Sequence, residues 1–285
     1  MLLITGASGR IARRTAELLA QKEISLRLMS RTPDRVPRFP RSEVVEGDFA
    51  DPISLAAAFR GATFAFVISG SGKPGERARL HRNAFEAAAR AGVQHVIYLS
   101  LQGAAPTSKY PLSRDHYLSE QYLAETGVAH TVLRNAFYID MFLERFDPDG
   151  VVRGPAGETK GAFVAREDAA RTAAAVLLDP PGGDLDVTGP EALSVREVAS
   201  RLSVMVGRDL RYEEESAECA RERLSKTESE PWRIALAVGW FEAIRAGELE
   251  HTSDTVSRST GAPPMNLETY FRLFPGLLKP LRRRH

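Results

Sequence analysis

The chain has 285 residues, 43% apolar and 26% charged, enough to bury one sizeable core or two coupled lobes. Its 38 Lys and Arg against 37 Asp and Glu leave a net charge of +1, so no global field favours nucleic acid or an acidic membrane. A single cysteine, Cys219, excludes an intrachain disulfide framework and the usual zinc site; the absence of a long apolar run or charged leader predicts a cytoplasmic protein with no membrane partner and no metal.

Leu2-Leu3-Ile4 is a short apolar run abutting a turn, as a buried parallel strand does. Gly6 lets the backbone turn tightly and Gly9 lets it approach a ligand. From Arg10, the residues Ile11, Leu18 and Leu19 with Ala12, Ala16 and Ala20 form one apolar face of a helix, and the small Ala12 lets it lie close to the strand. A pyrophosphate at such a helix start meets free N–H groups and the positive end of the helix dipole. The spacing is Gly-x-x-Gly-x-x-Ala rather than Gly-x-Gly-x-x-Gly, so the turn taken alone is equally an ordinary strand-to-helix connection.

A second strand fits Ser25 to Met29 and ends at Ser30-Arg31-Thr32-Pro33. Val44 and Val45 make a third, Asp51-Pro52 opens a helix from Ile53 to Phe59, and Thr63 to Ile68 is an apolar fourth strand. After the glycine-rich loop 69–75 come a helix from Arg77 to Ala91, a strand from His95 to Leu99, a helix from Asp115 to Glu125 and a strand from Ala129 to Leu133. Strand and helix thus alternate through about the first 135 residues, which means a parallel sheet covered on both faces. A glycine turn after its first strand lies at the carboxyl ends, where such sheets bind ligands, and this favours a dinucleotide.

The remainder is less regular. Helices fit Arg166 to Leu178, Val195 to Val206, most of Cys219 to Gly247 with a break at Pro231, and Leu267 to Phe274; Asp184 to Thr188 reads as a strand and Arg208 to Glu214 as extended. The basic tail from Lys279 to His285 reads as a solvated terminus.

Thr5-Gly6-Ala7-Ser8-Gly9, Ser30-Arg31-Thr32-Pro33, Gly47-Asp48-Phe49, His81-Arg82-Asn83, Tyr98-Leu99-Ser100-Leu101 and Leu133-Arg134-Asn135-Ala136-Phe137-Tyr138 together resemble the NmrA-like branch of the atypical short-chain dehydrogenases. That branch includes type-2 NAD(P)H:quinone reductases and triphenylmethane reductase. The resemblance spans nearly the whole chain and is faint after residue 190. It implies an α/β, Rossmann-type doubly wound parallel sheet over residues 1–150, with 163–189 returning to it, and a smaller mixed α/β substrate lobe over 190–285. It also implies NADPH as cofactor and a small-molecule substrate, with a homodimer or a regulatory protein partner in prospect.

Within that frame Gly6, Ala7, Ser8, Gly9, Arg10 and Ile11 would cradle the pyrophosphate. Arg31 follows the second strand, where an acid would bind the ribose 2′-hydroxyl of NADH and an arginine accommodates a 2′-phosphate; NADPH is therefore preferred, unless Arg31 is only an exposed turn cation. Asp48 would border the adenine or close an Asx turn, and Ser69, Gly70 and Ser100 would meet the nicotinamide ribose. Lys73 in the loop would reach a phosphate or solvent.

Short-chain dehydrogenases generally place Tyr and Lys at i and i+4 of one helix, where the lysine favours the phenolate. Here Tyr117 is followed by Gln121, which can hydrogen-bond a ribose but carries no charge, so Tyr117 is a proton donor or a packing residue. His116 could protonate a reduced carbonyl oxygen or serve only near the helix start. Leu101, Gln102, Phe137, Tyr138, Met141 and Phe142 would line the acceptor, the alternative for the aromatic group being plain core. Hydride transfer to a quinone-like or conjugated acceptor follows, with a cofactor-sensing regulator as the alternative.

Overall fold

The computed structural model describes residues 1–70 and 72–282. Its elements alternate as strand and helix through the first half: β1 Leu2–Ile4, α1 Arg10–Ala20, β2 Leu26–Ser30, β3 Ser42–Glu46, α2 Pro52–Phe59, β4 Phe64–Ile68, α3 Arg77–Arg90, β5 His95–Leu101, α4 Pro111–Glu125 and β6 Ala129–Asn135. The second half carries β7 Val151–Gly154, β8 Lys160–Gly161, α5 Arg166–Leu178, β9 Gly183–Val187, β10 Leu193–Ser194, α6 Val195–Val206 and β11 Arg211–Glu214. It ends in α7 Ala217–Ser225, α8 Pro231–Arg245, α9 Thr255–Thr260, α10 Leu267–Leu273 and α11 Lys279–Arg282.

Seven parallel strands form one sheet in the order β3-β2-β1-β4-β5-β6-β9. Strand residues alternate between its faces, so Leu2, Ile4, Phe66, Ile97 and Leu99 pack under α1 and α5, while Leu3, Val67, Val96 and Tyr98 pack under α2, α3 and α4. This doubly wound sheet is the expected Rossmann-type fold. Strand order reverses between β1 and β4, which puts the Gly6 turn at the switch point.

Several boundaries move for local reasons. Helix α4 starts at Pro111, one turn before the expected Asp115, because proline suits the first helical position. Strand β3 extends through polar Ser42, Glu43 and Glu46, whose backbones pair with β2 whatever their side chains. Ser194 and Glu197 close a capping box on α6, and Gly207 ends it at φ +67°.

In the second half β7 pairs in parallel with β11, and β8 pairs antiparallel with β10. Around them a separate core gathers on Trp240, which stacks on Phe137 (5.2 Å between centroids, 14° between planes) and meets Phe142 edge-on at 5.1 Å. Helix α9, absent from the sequence-based expectation, packs Val256 into the sheet face beneath α5. The tail is a correction in part: Leu281 is buried in α11 and its carbonyl accepts from Arg208, whereas Arg283, Arg284 and His285 lie outside the described residues. Among the described residues, no helix is long and apolar enough to cross a membrane.

Candidate functional site

The turn between β1 and α1 is tied across the carboxyl ends of its neighbours. Gly6 sits at φ +61°, in the left-handed region that glycine enters without strain. The N–H groups of Thr5 and Ala7 donate to the carbonyls of Phe66 and Met29, each at 3.0 Å, and Thr5 Oγ1 accepts from the Ile68 N–H at 2.9 Å. Helix α1 then begins after Gly9 with no side-chain cap and no acid in its first turn. Among the described residues, therefore, no side chain caps its leading N–H groups.

A cleft of about 620 Å³ opens over this turn. Gly6, Ser8 and Gly9 form one wall, Ser30, Arg31, Thr32 and Arg35 the end of β2, Gly47, Asp48 and Phe49 the end of β3, and Ile68, Ser69 and Gly70 the end of β4. Gly47 also packs closely, since a Cβ there would stand 2.6 Å from the Met29 side chain and force it to shift. Arg31 and Arg35 are exposed and, among the described residues, have no ion-pair partner. Asp48 Oδ1 accepts from the Ala50 N–H at 2.9 Å, so the Asx turn is real and the residue borders the cleft as well.

Behind the cleft lies a buried network that the sequence did not announce. The Gly70 peptide is held on both sides: its N–H donates to His81 Nε2 at 3.1 Å and its carbonyl accepts from Arg77 Nε at 2.7 Å. His81 Nδ1 lies 2.8 Å from Ser119 Oγ, which in turn donates to the Asp115 carbonyl. Tyr98 joins the two histidines, its hydroxyl 3.2 Å from His81 Nδ1 and 2.8 Å from His116 Nδ1. Burial, reinforced by the Arg77 charge, lowers His81 to about 3 and pushes His116 well below its ordinary value. Burial likewise raises the Tyr98 hydroxyl. The signal for this cluster was spacing: His81 on α3, and Asp115, His116 and Ser119 on α4, occupy helix faces turned to the same side of the sheet.

The expected site residues divide accordingly. Gly6, Ser8, Gly9, Arg31, Asp48, Ser69 and Gly70 all border the cleft, and the sequence reading missed Ser30, Thr32 and Arg35 beside them. The side chains of Ala7 and Ile11 are buried; the Ala7 N–H is already donated to the Met29 carbonyl, which leaves Ile11 its backbone N–H to offer, and Arg10 pairs with Asp140 at 2.9 Å. Lys73 pairs with Glu230 at 3.7 Å across to the start of α8.

Four expectations need correction. Ser100 turns away from the cleft, donating to Glu120 Oε1 at 2.6 Å, because even-numbered β5 residues face α4; Glu120 is anchored in turn by Arg134. His116 is buried between Tyr98 and Arg77 Nη2 (3.4 Å) and held neutral, so it has no imidazolium proton to give near neutral pH. Phe137 and Phe142 are taken up by the Trp240 core. Gln121 is exposed on α4 while Ser119 and Glu120 face inward, and half-buried Tyr117 lies one turn before it; neither lines the cleft.

At the ends of β5 and β6, Gln102 is buried, its Nε2 donating to the His251 carbonyl at 2.8 Å and its Oε1 without a partner among the described residues. Tyr138 is covered by the Arg166 guanidinium at 4.1 Å and accepts from Asn135 Nδ2 at 2.9 Å. Leu101 and Met141 are partly buried against the Trp240 core.

Residues 6–180 match the family model described as NAD(P)H-binding. The chain is 32% identical over 270 residues, 92% of its length and 94% of the relative's, to a (4-alkanoyl-5-oxo-2,5-dihydrofuran-3-yl)methyl phosphate reductase of Streptomyces griseus. Among solved structures it is similar to the NADPH-dependent quinone oxidoreductase of Escherichia coli complexed with NADPH, at TM-score 0.87 and 28% identity, covering 96% of this chain and all (100%) of the other. It is also similar to the triphenylmethane reductase of Citrobacter sp. complexed with NADP(H), at TM-score 0.82 and 25% identity, covering 96% and 99%. The resemblance drawn from the sequence motifs holds, and the chain belongs to the NAD(P)H-binding family.

Proposed function

We propose that the protein is an NADPH-dependent reductase that delivers hydride to a small apolar acceptor, quinone-like or otherwise conjugated with a carbonyl. The observation that carries this is the combination, in one cleft, of an uncapped helix start at a glycine turn with two arginines, just after β2 and in the turn that follows, that have no ion-pair partner among the described residues. The backbone N–H groups of Ser8, Arg10 and Ile11 hold the pyrophosphate, those of Ala7 and Gly9 being spent on the Met29 and Gly6 carbonyls. Arg31 and Arg35 hold the 2′-phosphate, where NADH would want an acid. Asp48 and Phe49 border the adenine, and Ser69 and Gly70 pass under the nicotinamide ribose. When bound, NADPH supplies the hydride.

Arg77 and His81 act from behind as positioning residues, fixing both faces of the Gly70 peptide so that the floor of the cleft is set before the cofactor arrives. Leu101, Gln102, Tyr138 and Met141 border the acceptor. Orientation carries the rate, not a relay through Tyr117 and Gln121: a neutral amide cannot favour a phenolate, and His116 is neutral within its network. We assign residues 1–150 with 163–189 to the nucleotide lobe and 190–285 to the substrate lobe; the Trp240 core crosses that division, joining Tyr110, Phe137, Phe142 and Phe163 to the later helices. Conjugation of the acceptor with a carbonyl is supported by two relatives: one is named as a quinone oxidoreductase, the other as the reductase of an unsaturated lactone that also carries a methyl phosphate.

The test is steady-state NADPH oxidation across a panel of quinones and unsaturated lactones. Saturable turnover with at least one of them is expected. Tight NADPH binding with no turnover on any acceptor would overturn the reductase assignment and leave a cofactor-binding protein without catalysis.

A further inference from the structure

A smaller cavity, about 210 Å³, lies in the C-terminal half among β7, α7, α8 and the segment that follows residue 143. Its floor is apolar, made by Ala220, Leu224, Val238 and Phe241, and charged groups surround it: Glu144, Arg145, Arg153 and Arg223. Two of these arginines are already engaged, Arg153 by Asp147 and Glu213 and Arg223 by Glu215.

Arg145 is different. Among the described residues its side chain has no hydrogen-bond or ion-pair partner, and its Nε is buried without an acceptor. Its guanidinium lies 3.9 Å above the Trp240 ring and 5.4 Å from the centre of Phe241. An aromatic face attracts the cation but leaves its in-plane N–H donors unused. Burial lowers its pKa to about 10, with Tyr110 and Glu144 pulling the other way, so it stays charged at neutral pH. A half-buried guanidinium whose Nε–H is buried without an acceptor is an arrangement that an incoming oxyanion relieves.

We propose that this cavity binds a small organic carboxylate, with Arg145 as the anchor of the carboxylate and the apolar floor as the seat of the hydrocarbon body. With Arg153 and Arg223 held by acids, Arg145 is the lining arginine left without an ion-pair partner among the described residues, and its one guanidinium suits one carboxylate. The cavity shares no lining residue with the dinucleotide cleft, so this site and the reductase assignment succeed or fail separately.

Trp240 is the natural reporter, because the anchor lies on its ring. In a Trp232→Phe background, where Trp240 is the one remaining tryptophan, benzoate is titrated against its neutral isostere benzamide and against inorganic phosphate. Saturable change in Trp240 emission with benzoate, and none with benzamide, is expected. Arg145→Met keeps a flexible side chain over the ring and should weaken benzoate by about 10- to 100-fold, the loss of a charge-assisted hydrogen bond; Arg145→Lys should retain part of the affinity. The proposal is overturned if benzoate produces no saturable change, if benzamide binds equally, if phosphate binds in place of benzoate, or if Arg145→Met binds benzoate as tightly as the parent. The benzoate–benzamide comparison needs no Arg145 variant, so it stands even if that variant fails to fold.

Discussion

Around the central sheet, apolar residues from Ala to Phe alternate from face to face, and the cleft opens over the glycine turn and the strand ends. In the C-terminal half one large side chain, Trp240, is the hub: Phe137, Phe142, Phe163 and Phe241 meet its ring from different directions, and Arg145 covers it. The first arrangement is periodic and spreads its stability over many residues. The second concentrates it, and leaves specificity to individual side chains. A Rossmann-type frame can thus hold one cofactor geometry while an aromatic core beside it is rebuilt for different small molecules.

The sharpest way to break this contrast is Trp240→Ala. Emptying the centre of a fully buried aromatic cluster should cost about 3 to 5 kcal/mol, measured by urea unfolding. Truncating Leu3, a buried sheet residue, should cost about 2 to 5 kcal/mol, so the variants differ less in size than in kind: Trp240→Ala should abolish the Arg145 site while the dinucleotide cleft still binds. Simultaneous loss of both sites would show that the halves are one cooperative core.

The buried histidines behind the cleft give the next effect. His81 titrates at about 3 in the folded chain against 6.5 for the free side chain, and His116 is lowered too. Both are neutral in the native state, so below about pH 6.5 the unfolded chain binds more protons. Their stabilisation is complete above that pH and is lost as pH falls towards 3, by up to about 1.4 kcal/mol per pH unit for each histidine. Asp115, raised by burial, works in the opposite sense at lower pH. The urea midpoint should therefore fall between pH 7 and 5.5, and a flat profile over that interval would contradict the network.

A kinetic effect comes third. Arg77→Leu removes the donor to the Gly70 carbonyl and should raise the KM for NADPH about tenfold, the value of one hydrogen bond from a charged group. Because Arg77 positions the floor rather than touching the reacting atoms, kcat should change much less, and Arg77→Lys should restore part of the loss. Equal changes in kcat would place Arg77 in the chemistry. The smallest effect is expected for Tyr117→Phe, within about twofold in kcat/KM because no lysine is present to favour its phenolate; a hundredfold loss would reinstate Tyr117 as a proton donor.

The contrast between the halves also explains what could be read from the chain. The sheet was legible because strand and helix periods alternate and glycines end the helices, and Arg31 was legible as a residue of the cleft because the position after β2 lies at the carboxyl ends of the strands. Arg35 was not, since a 3-10 turn at Pro33–Arg35 brings it back to the cleft. Ser100 was misplaced for want of the face parity of β5, which only the registered sheet fixes. Phe137 and Phe142 sit just after β6, where ligands bind in such sheets, but their partner Trp240 is about a hundred residues away, and no local period links them. The β7–β11 and β8–β10 pairs are too short, at 2 to 4 residues per strand, to carry a period at all.

The most direct measurement is equilibrium titration of the protein and of Arg31→Ala with NADPH and with NADH. NADPH should bind the parent more tightly than NADH, and Arg31→Ala should weaken NADPH by about 10- to 100-fold while leaving NADH nearly unchanged, as expected for loss of a charge-assisted bond to the 2′-phosphate. Equal losses for both cofactors, or none for either, would contradict the assignment of the β2 end of the cleft to the 2′-phosphate of NADPH.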